Sequence, residues 1–229
     1  MAYILKEEKY SNGSFKSRET ELHGQPGQQV ILKEGWYPAE VDPLNPCQAT
    51  DNAQLLYGQQ EYKLNYVNGQ YHGVQERWYE NGQQAYKWNY VNGQEHGIQE
   101  AWNEDGQQKY KHNYVSDQLH GVQETWYEDG EQEYKGNFVN GQKHSVQEAW
   151  HENGQQWYKE NYVNGQQHGV QEYWYENGQQ AYKRYYLDRG EVSQQAYQSY
   201  VEGLEPEVQA TTDFEERSLS RIIASYLLP

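Results

Sequence analysis

Between Tyr62 and Ala181 the chain alternates aromatic and polar positions with a two-residue period, interrupted at regular Asn-Gly or Asp-Gly pairs. Side chains of a β-strand point alternately to its two faces, so this pattern predicts strands rather than helices. Tyr62 and Tyr66 share one face while Lys63 and Asn65 point to the other, which predicts a strand over 62–67. A second strand is predicted over 74–79, with Val74, Glu76 and Trp78 on one face and Gln75 and Tyr79 on the opposite one. Tyr62, Tyr66, Val74 and Trp78 are expected to form the packed face. Glu76 is awkward in that company and is expected to have a standing partner there, such as a turn N–H or a Tyr hydroxyl.

The pattern repeats every 24 residues, in five copies over 62–181 that begin at Tyr62, Tyr86, Tyr110, Tyr134 and Tyr158. A sixth copy opens at Tyr182 and decays after Tyr186. Each copy carries two turn signals. One is Asn81-Gly82, Asp105-Gly106, Asp129-Gly130, Asn153-Gly154 and Asn177-Gly178; the other is Asn68-Gly69, Asn92-Gly93, Asn140-Gly141 and Asn164-Gly165, with Ser116-Asp117 as the exception. Asn-Gly and Asp-Gly favour hairpin turns because both residues tolerate positive φ. Two turns per copy imply two strands per copy. Tyr62, Tyr66, Trp78, Tyr86, Tyr90, Trp102, Trp126, Trp150 and Trp174 are read as structural repeat residues, stacked on their equivalents in neighbouring copies.

The ends break the pattern. Residues 1–61 read as a divergent N-terminal capping repeat: Tyr10-Ser11-Asn12-Gly13, His23-Gly24 and Trp36-Tyr37 echo the copies, and 38–54, with Pro38, Pro43, Pro46 and Cys47, reads as a loop insertion. Repeats then occupy 62–205, the partial copy included. Over 206–229 the period changes: Leu219, Ile222, Ile223, Tyr226 and Leu227 fall on one stripe of a helix. Thr212 with Glu215, or Asp213 with Glu216, would supply its capping box. This amphipathic helix is expected either to cover the last strands, as terminal repeats require, or to act as a docking or oligomerisation element.

Composition modifies the picture in two respects. Only 35% of the 229 residues are hydrophobic, yet there are 24 Tyr and 8 Trp, so the apolar payload is carried by amphipathic rings suited to a thin sheet. Disordered chains are poor in such rings. The net charge is -16, which disfavours nucleic acid and anionic membrane surfaces and favours basic protein partners, or serves solubility alone. Cys47 is the single cysteine, so no intrachain disulfide forms and a reducing compartment is expected. The start, MAYILKEEKY, has no apolar region of the signal-peptide kind, and no stretch approaches a membrane span. A soluble, cytoplasmic protein is expected.

Catalytic, cofactor and metal sites are sought without result. His23, His72, His96, His120, His144 and His168 tempt a metal reading. Equivalent residues of successive copies lie two strands apart, however, roughly 10 Å, too far to share an ion. The recurring Glu76, Glu100, Glu124, Glu148 and Glu172 fail as an acid pair for the same reason. No nucleophile elbow or phosphate-cradling glycine loop is present. Catalytic constellations are unique, whereas these polar residues repeat, so the chain is expected not to be an enzyme and to need no cofactor.

The run Tyr86, Tyr90, Gly93, His96, Gly97 resembles the MORN repeat, and the Trp-Tyr-Glu-Asn-Gly after it is similar to the bacterial variant in proteins often called YwqK-family antitoxins. The resemblance covers about 62–186. It departs where the expected glycine is Leu64, Trp88, His112 or Glu160, surviving only as Gly136, and where Ser145 replaces the glycine of His-Gly. It implies an all-β fold: an elongated, twisted single antiparallel meander of β-hairpin repeats used as a scaffold, here with a C-terminal α-helix cap.

Function is then expected where the copies differ. Position 64 reads Leu64, Trp88, His112, Gly136, Glu160, Arg184; position 71 reads Tyr71, Glu95, Leu119, Lys143, Gln167; position 77 reads Arg77, Ala101, Thr125, Ala149, Tyr173. These are solvated or face a partner. Trp88, Tyr173 and Leu119, with Leu219, Ile222, Ile223 and Tyr226 of the terminal stripe, are the partner-binding candidates, since aromatics are enriched in hot spots. Three readings follow: a protein-binding scaffold such as an acidic antitoxin or immunity protein that masks a basic toxin; a structural subunit of a filament, phage or injection apparatus, self-associating through sheet edges or the helix; and, more weakly, a membrane-surface binder.

Overall fold

The computed structural model describes residues 3–11, 14–22, 28–37, 59–187 and 190–203. The expected loop insertion with Cys47 and the expected helix over 206–229, with Leu219, Ile222, Ile223 and Tyr226, lie outside these residues. The described residues form nineteen β-strands and one helix, and the strands pair antiparallel, as the repeat pattern predicts for an all-β hairpin meander. Two compact units are distinguished, 1–119 with 125–130 and 120–124 with 131–229.

The first unit runs β1 (Tyr3–Lys9), β2 (Phe15–Leu22), β3 (Val30–Trp36), β4 (Gln60–Val67), β5 (Gln70–Tyr71), β6 (Gly73–Trp78), β7 (Gln84–Val91), β8 (Gln94–Glu95), β9 (Gly97–Trp102), β10 (Gln108–Val115) and β11 (Gln118–Leu119). After β12 (Gly121–Trp126) the second unit continues with β13 (Gln132–Val139), β14 (Gln142–Trp150), β15 (Gln156–Val163), β16 (Gln166–Gln167), β17 (Gly169–Trp174), β18 (Gln180–Leu187), β19 (Gly190–Val192) and α1 (Gln194–Glu202).

The two turn families fold differently. At Asn68-Gly69 both residues have positive φ (50° and 78°), the mirror-image turn whose twist matches a hairpin. Ser116-Asp117 adopts the same conformation (48° and 64°) without a glycine. In the other family only the glycine is left-handed: Gly82 has φ 87° and its N–H closes a turn onto the Tyr79 carbonyl at 2.9 Å. The Asn81 side chain there accepts from Gln83 N, so the asparagine serves as a cap rather than as a second left-handed residue.

Within each hairpin the ladder breaks at His-Gly. Val67 pairs with Gln70 and Tyr66 with Tyr71, but Lys63 then pairs with Glu76, so the β6 side carries extra residues. Gly73, with φ 80°, makes this bulge possible. The bulge leaves the Asn65 backbone short of strand partners, and a side chain replaces them. Asn65 N–H donates to Gln75 Oε1 at 2.8 Å and Gln75 Nε2 donates to Asn65 O at 2.9 Å. Gln99 with Asn89 and Gln171 with Asn161 repeat the exchange, while Gln147 Nε2 donates to Asn137 O. Gln75, Gln99, Gln123, Gln147 and Gln171 are the largest fully buried side chains among the described residues.

This corrects the expected face assignment. Cross-strand partners point the same way, and Tyr62 faces Arg77 across β4 and β6. Gln75 and Arg77 therefore share the tyrosine face, while Val74, Glu76 and Lys63 take the other. Register, not apolarity, decides which residues meet. A glutamine can occupy the buried position because its amide is satisfied by backbone. Glu76 is not among tyrosines at all: it accepts from Gln84 Nε2 at 3.4 Å. Its equivalents pair with the lysine of the following copy, Glu100 with Lys111 at 3.9 Å, Glu124 with Lys135 at 3.1 Å, Glu148 with Lys159 at 3.8 Å and Glu172 with Lys183 at 3.0 Å. Such exposed pairs contribute at most about 1 kcal/mol each.

Further bonds tie successive copies together. Tyr79 OH donates to the Trp102 carbonyl at 2.9 Å, and Asn81 Nδ2 to the Glu104 carbonyl at 2.6 Å. Tyr37 OH makes the same bond to the Trp78 carbonyl at 3.0 Å, so Trp36-Tyr37 takes the place that Trp78-Tyr79 takes one copy later. Gly35 pairs with Tyr62, and a Cβ there would collide with the Tyr62 ring. Gly35→Ala is expected to destabilise the protein by about 2 kcal/mol in urea unfolding, the scale of overpacking. Ser145 is the reverse case. It holds φ 64° where four other copies place glycine, a conformation that strains a residue with a Cβ by about 1 kcal/mol. Ser145→Gly is expected to raise the urea midpoint by a corresponding amount.

α1 lies within the span read from the sequence as partial repeat. Its N-cap is Ser193, whose hydroxyl accepts from Ala196 N at 3.2 Å.

Candidate interaction face

The register that buries the glutamines also collects the variable positions 64, 71 and 77. Position 77 pairs with the invariant tyrosine opening each copy, as in Tyr62 with Arg77, Tyr86 with Ala101 and Tyr158 with Tyr173. Position 71 pairs with the next frame aromatic, as in Tyr66 with Tyr71, Tyr90 with Glu95, Tyr114 with Leu119 and Phe138 with Lys143. Position 64 pairs with the buried glutamine of the copy before, as in Trp88 with Gln75, Glu160 with Gln147 and Arg184 with Gln171. Within each unit these three columns therefore lie on the tyrosine face, interleaved with a fixed aromatic frame. The opposite face carries the repeated Glu–Lys pairs.

In the first unit the frame is built by ring stacking. Tyr66, Tyr71 and Tyr90 follow one another at centroid distances of 4.9 and 5.3 Å. Trp88 stacks on Tyr86 at 4.0 Å, and its Nε1–H donates to Tyr110 OH at 2.9 Å. Tyr110 stacks in turn on His112 at 4.7 Å. Burial pushes the Tyr90 phenol up to about 12 and holds the His112 imidazole below its usual value. Glu95 is likewise raised, by burial first and by Asp117 second. Arg77 pairs with Glu61 at 3.1 Å at the exposed margin.

In the second unit three variable residues of adjacent copies converge. Glu160 is only 8% exposed. Its carboxylate accepts from Tyr173 OH and from Tyr162 OH, the latter at 3.0 Å, and pairs with Lys143 Nζ at 3.6 Å. The Lys143 ammonium also stands 4.9 Å from the Tyr162 ring centroid. Tyr173 stacks on Tyr182 at 4.3 Å. Burial, and Glu160 after it, raise Tyr158 and Tyr162 to about 12, and Tyr173 is raised further for the same causes. Gly136 leaves room for Tyr134 to fold over it and donate to Gln147 Oε1 at 2.5 Å.

Of the candidates read from the sequence, Trp88, Tyr173 and Leu119 are on this face and half-buried. Trp88 and Tyr173 are engaged with their neighbours, so each offers part of a ring rather than a free side chain. Glu160 is not among the candidates the sequence offers, although it is the one acid in a column otherwise filled by Leu64, Trp88, His112, Gly136 and Arg184. Among the exposed members of the face, the rings of Tyr71 (37%) and Tyr182 (45%) carry the readiest apolar contact area. His72 accepts from the Asn92 N–H of the next turn at 3.3 Å, a structural task at the opposite rim. Among the described residues no three His, Cys, Asp or Glu side chains come together as metal ligands, and no helix is long and apolar enough to cross a membrane. A scan of the chain against protein-family models finds no match, and a search of curated proteins finds none either.

Proposed function

We propose that this chain is a non-enzymatic, MORN-like repeat scaffold that binds a protein partner through its tyrosine face. The observation that carries this reading is the placement of the three variable columns on one face, against invariant Glu–Lys pairs on the other. A fixed frame with variable insertions is how repeat proteins present binding surfaces. The net charge of -16 favours a basic partner. An antitoxin or immunity protein that masks a basic toxin fits that chemistry.

The test is affinity capture by the whole protein from the cells that make it. A basic protein retained by the wild type is expected to be lost with Tyr71→Ser or with Tyr182→Ser, and kept with Glu148→Gln on the opposite face. Capture unaffected by the first variants would overturn the assignment of the face. Copies of the chain itself as the only protein captured, with sedimentation showing large assemblies, would favour a structural subunit.

A further inference from the structure

The same stretch of repeat is covered in one copy and open in another. In the fifth copy Asn161 and Val170 are only 3% and 4% exposed, whereas Ile98, the equivalent of Val170, is 42% exposed. Beside this copy α1 packs against β18. The Tyr197 ring lies 5.3 Å from that of Tyr185, the residue paired with Val170 across β17 and β18. The Tyr197 hydroxyl stands 3.7 Å from where a Cβ on Gly169 would be. Tyr197 and Val201, one helical turn apart, are the α1 residues partly withdrawn from solvent. The chain thus carries its own example of what this side of a copy accepts.

In the first unit Asn89 and Asn113 stand where β18 has Tyr185, and the apolar residues around them form a stripe. Val74 pairs with Asn89, two residues from Val91, and Ile98 pairs with Asn113, two residues from Val115. Val91, Ile98 and Val115 are 40%, 42% and 41% exposed. We infer that this stripe docks an amphipathic helix of a protein partner that presents an aromatic and a β-branched residue at i and i+4, as α1 presents Tyr197 and Val201 beside β18. A second copy's α1 is a poor occupant, because covering Ile98 would bare that copy's own Val170. The stripe lies on the Glu–Lys side, so this docking is separate from the tyrosine face and goes beyond the function proposed for it.

The test is a titration of the full-length, methyl-labelled protein with a stapled helical peptide of residues 193–203, followed by NMR. Saturable shifts of the Val91, Ile98 and Val115 methyls are expected. They should vanish with Ile98→Lys or Val91→Thr, persist with Arg77→Glu on the other face, and be absent with a peptide carrying Tyr197→Ser and Val201→Ser. Unmoved methyls, or movement at Val170 alone through exchange with α1, would overturn the inference. So would the same shifts appearing without peptide, either on truncation after Gly203, which assigns the stripe to the chain's own end, or on raising protein concentration, which assigns it to a second copy. Loss of the tyrosine-face partner in the capture experiment leaves each of these readouts unaffected, so the two readings fail separately.

Discussion

Gln171→Leu is expected to destabilise the protein by about 3 kcal/mol, although it exchanges a polar residue for an apolar one of similar size at a fully buried position. Gln171 Oε1 accepts from Asn161 N at 3.0 Å, and its Nε2 donates to Asn161 O at 2.9 Å and to His168 O at 3.1 Å. Leucine supplies none of these bonds. Asn161 O keeps the N–H of His168 at 2.9 Å, but Asn161 N–H is left buried with no acceptor. An orphaned buried donor costs about 1–3 kcal/mol and each lost bond about 1 kcal/mol more. The hydrophobic gain of leucine offsets only part of that. Glu172→Gln, one residue away on the Glu–Lys side, is expected to change stability by less than about 1 kcal/mol. Urea unfolding of the two variants side by side checks the pair; equal effects would mean that the glutamine is not what completes the hairpin.

The second large effect is alkaline unfolding. Tyr90, Tyr158 and Tyr162 are held to about 12 by burial, and Tyr66, Tyr134 and Tyr173 lie above their ordinary value for the same leading cause. An unfolded tyrosine ionises near pH 10. The fold therefore favours the neutral phenol, and this stabilisation is fully present below about pH 10 and lost as pH rises through about 12. Because the phenols form one stacked frame in each unit, their ionisation is expected to unfold the protein cooperatively over that window. Phenolate absorbance and the β-sheet circular dichroism signal should change together. Phenolate formation complete near pH 10 with the sheet intact would contradict the packing of the frame.

What could be read from the sequence was local. Asn68-Gly69 specifies its turn within two residues, so the strand positions follow from it, and a strand expected over 62–67 is found as Gln60–Val67. What could not be read depended on partners far along the chain. Gln75 looks like a surface residue until the hairpin register places it against Asn65, and Glu76 looks misplaced until the same register puts it on the outer face. The convergence of Lys143, Glu160 and Tyr173 needs three strands in register before it exists. α1 was hidden for another reason: in Gln-Gln-Ala-Tyr-Gln-Ser-Tyr-Val-Glu only Tyr197 and Val201 carry the packed face, too few to make a periodic stripe. Variability alone points to Trp88 and Tyr173, but it does not show that both rings are tied to their neighbours.

The central claim, that the tyrosine face is where a partner sits, is tested most directly by hydroxyl-radical footprinting of the protein with and without its captured partner. Protection is expected at Tyr71, Trp88, Tyr173 and Tyr182, with Tyr175 on the outer turn (60% exposed) unchanged as the internal reference. Protection confined to Tyr175 and the Glu–Lys side, with those four aromatics as reactive as in the free protein, would contradict it.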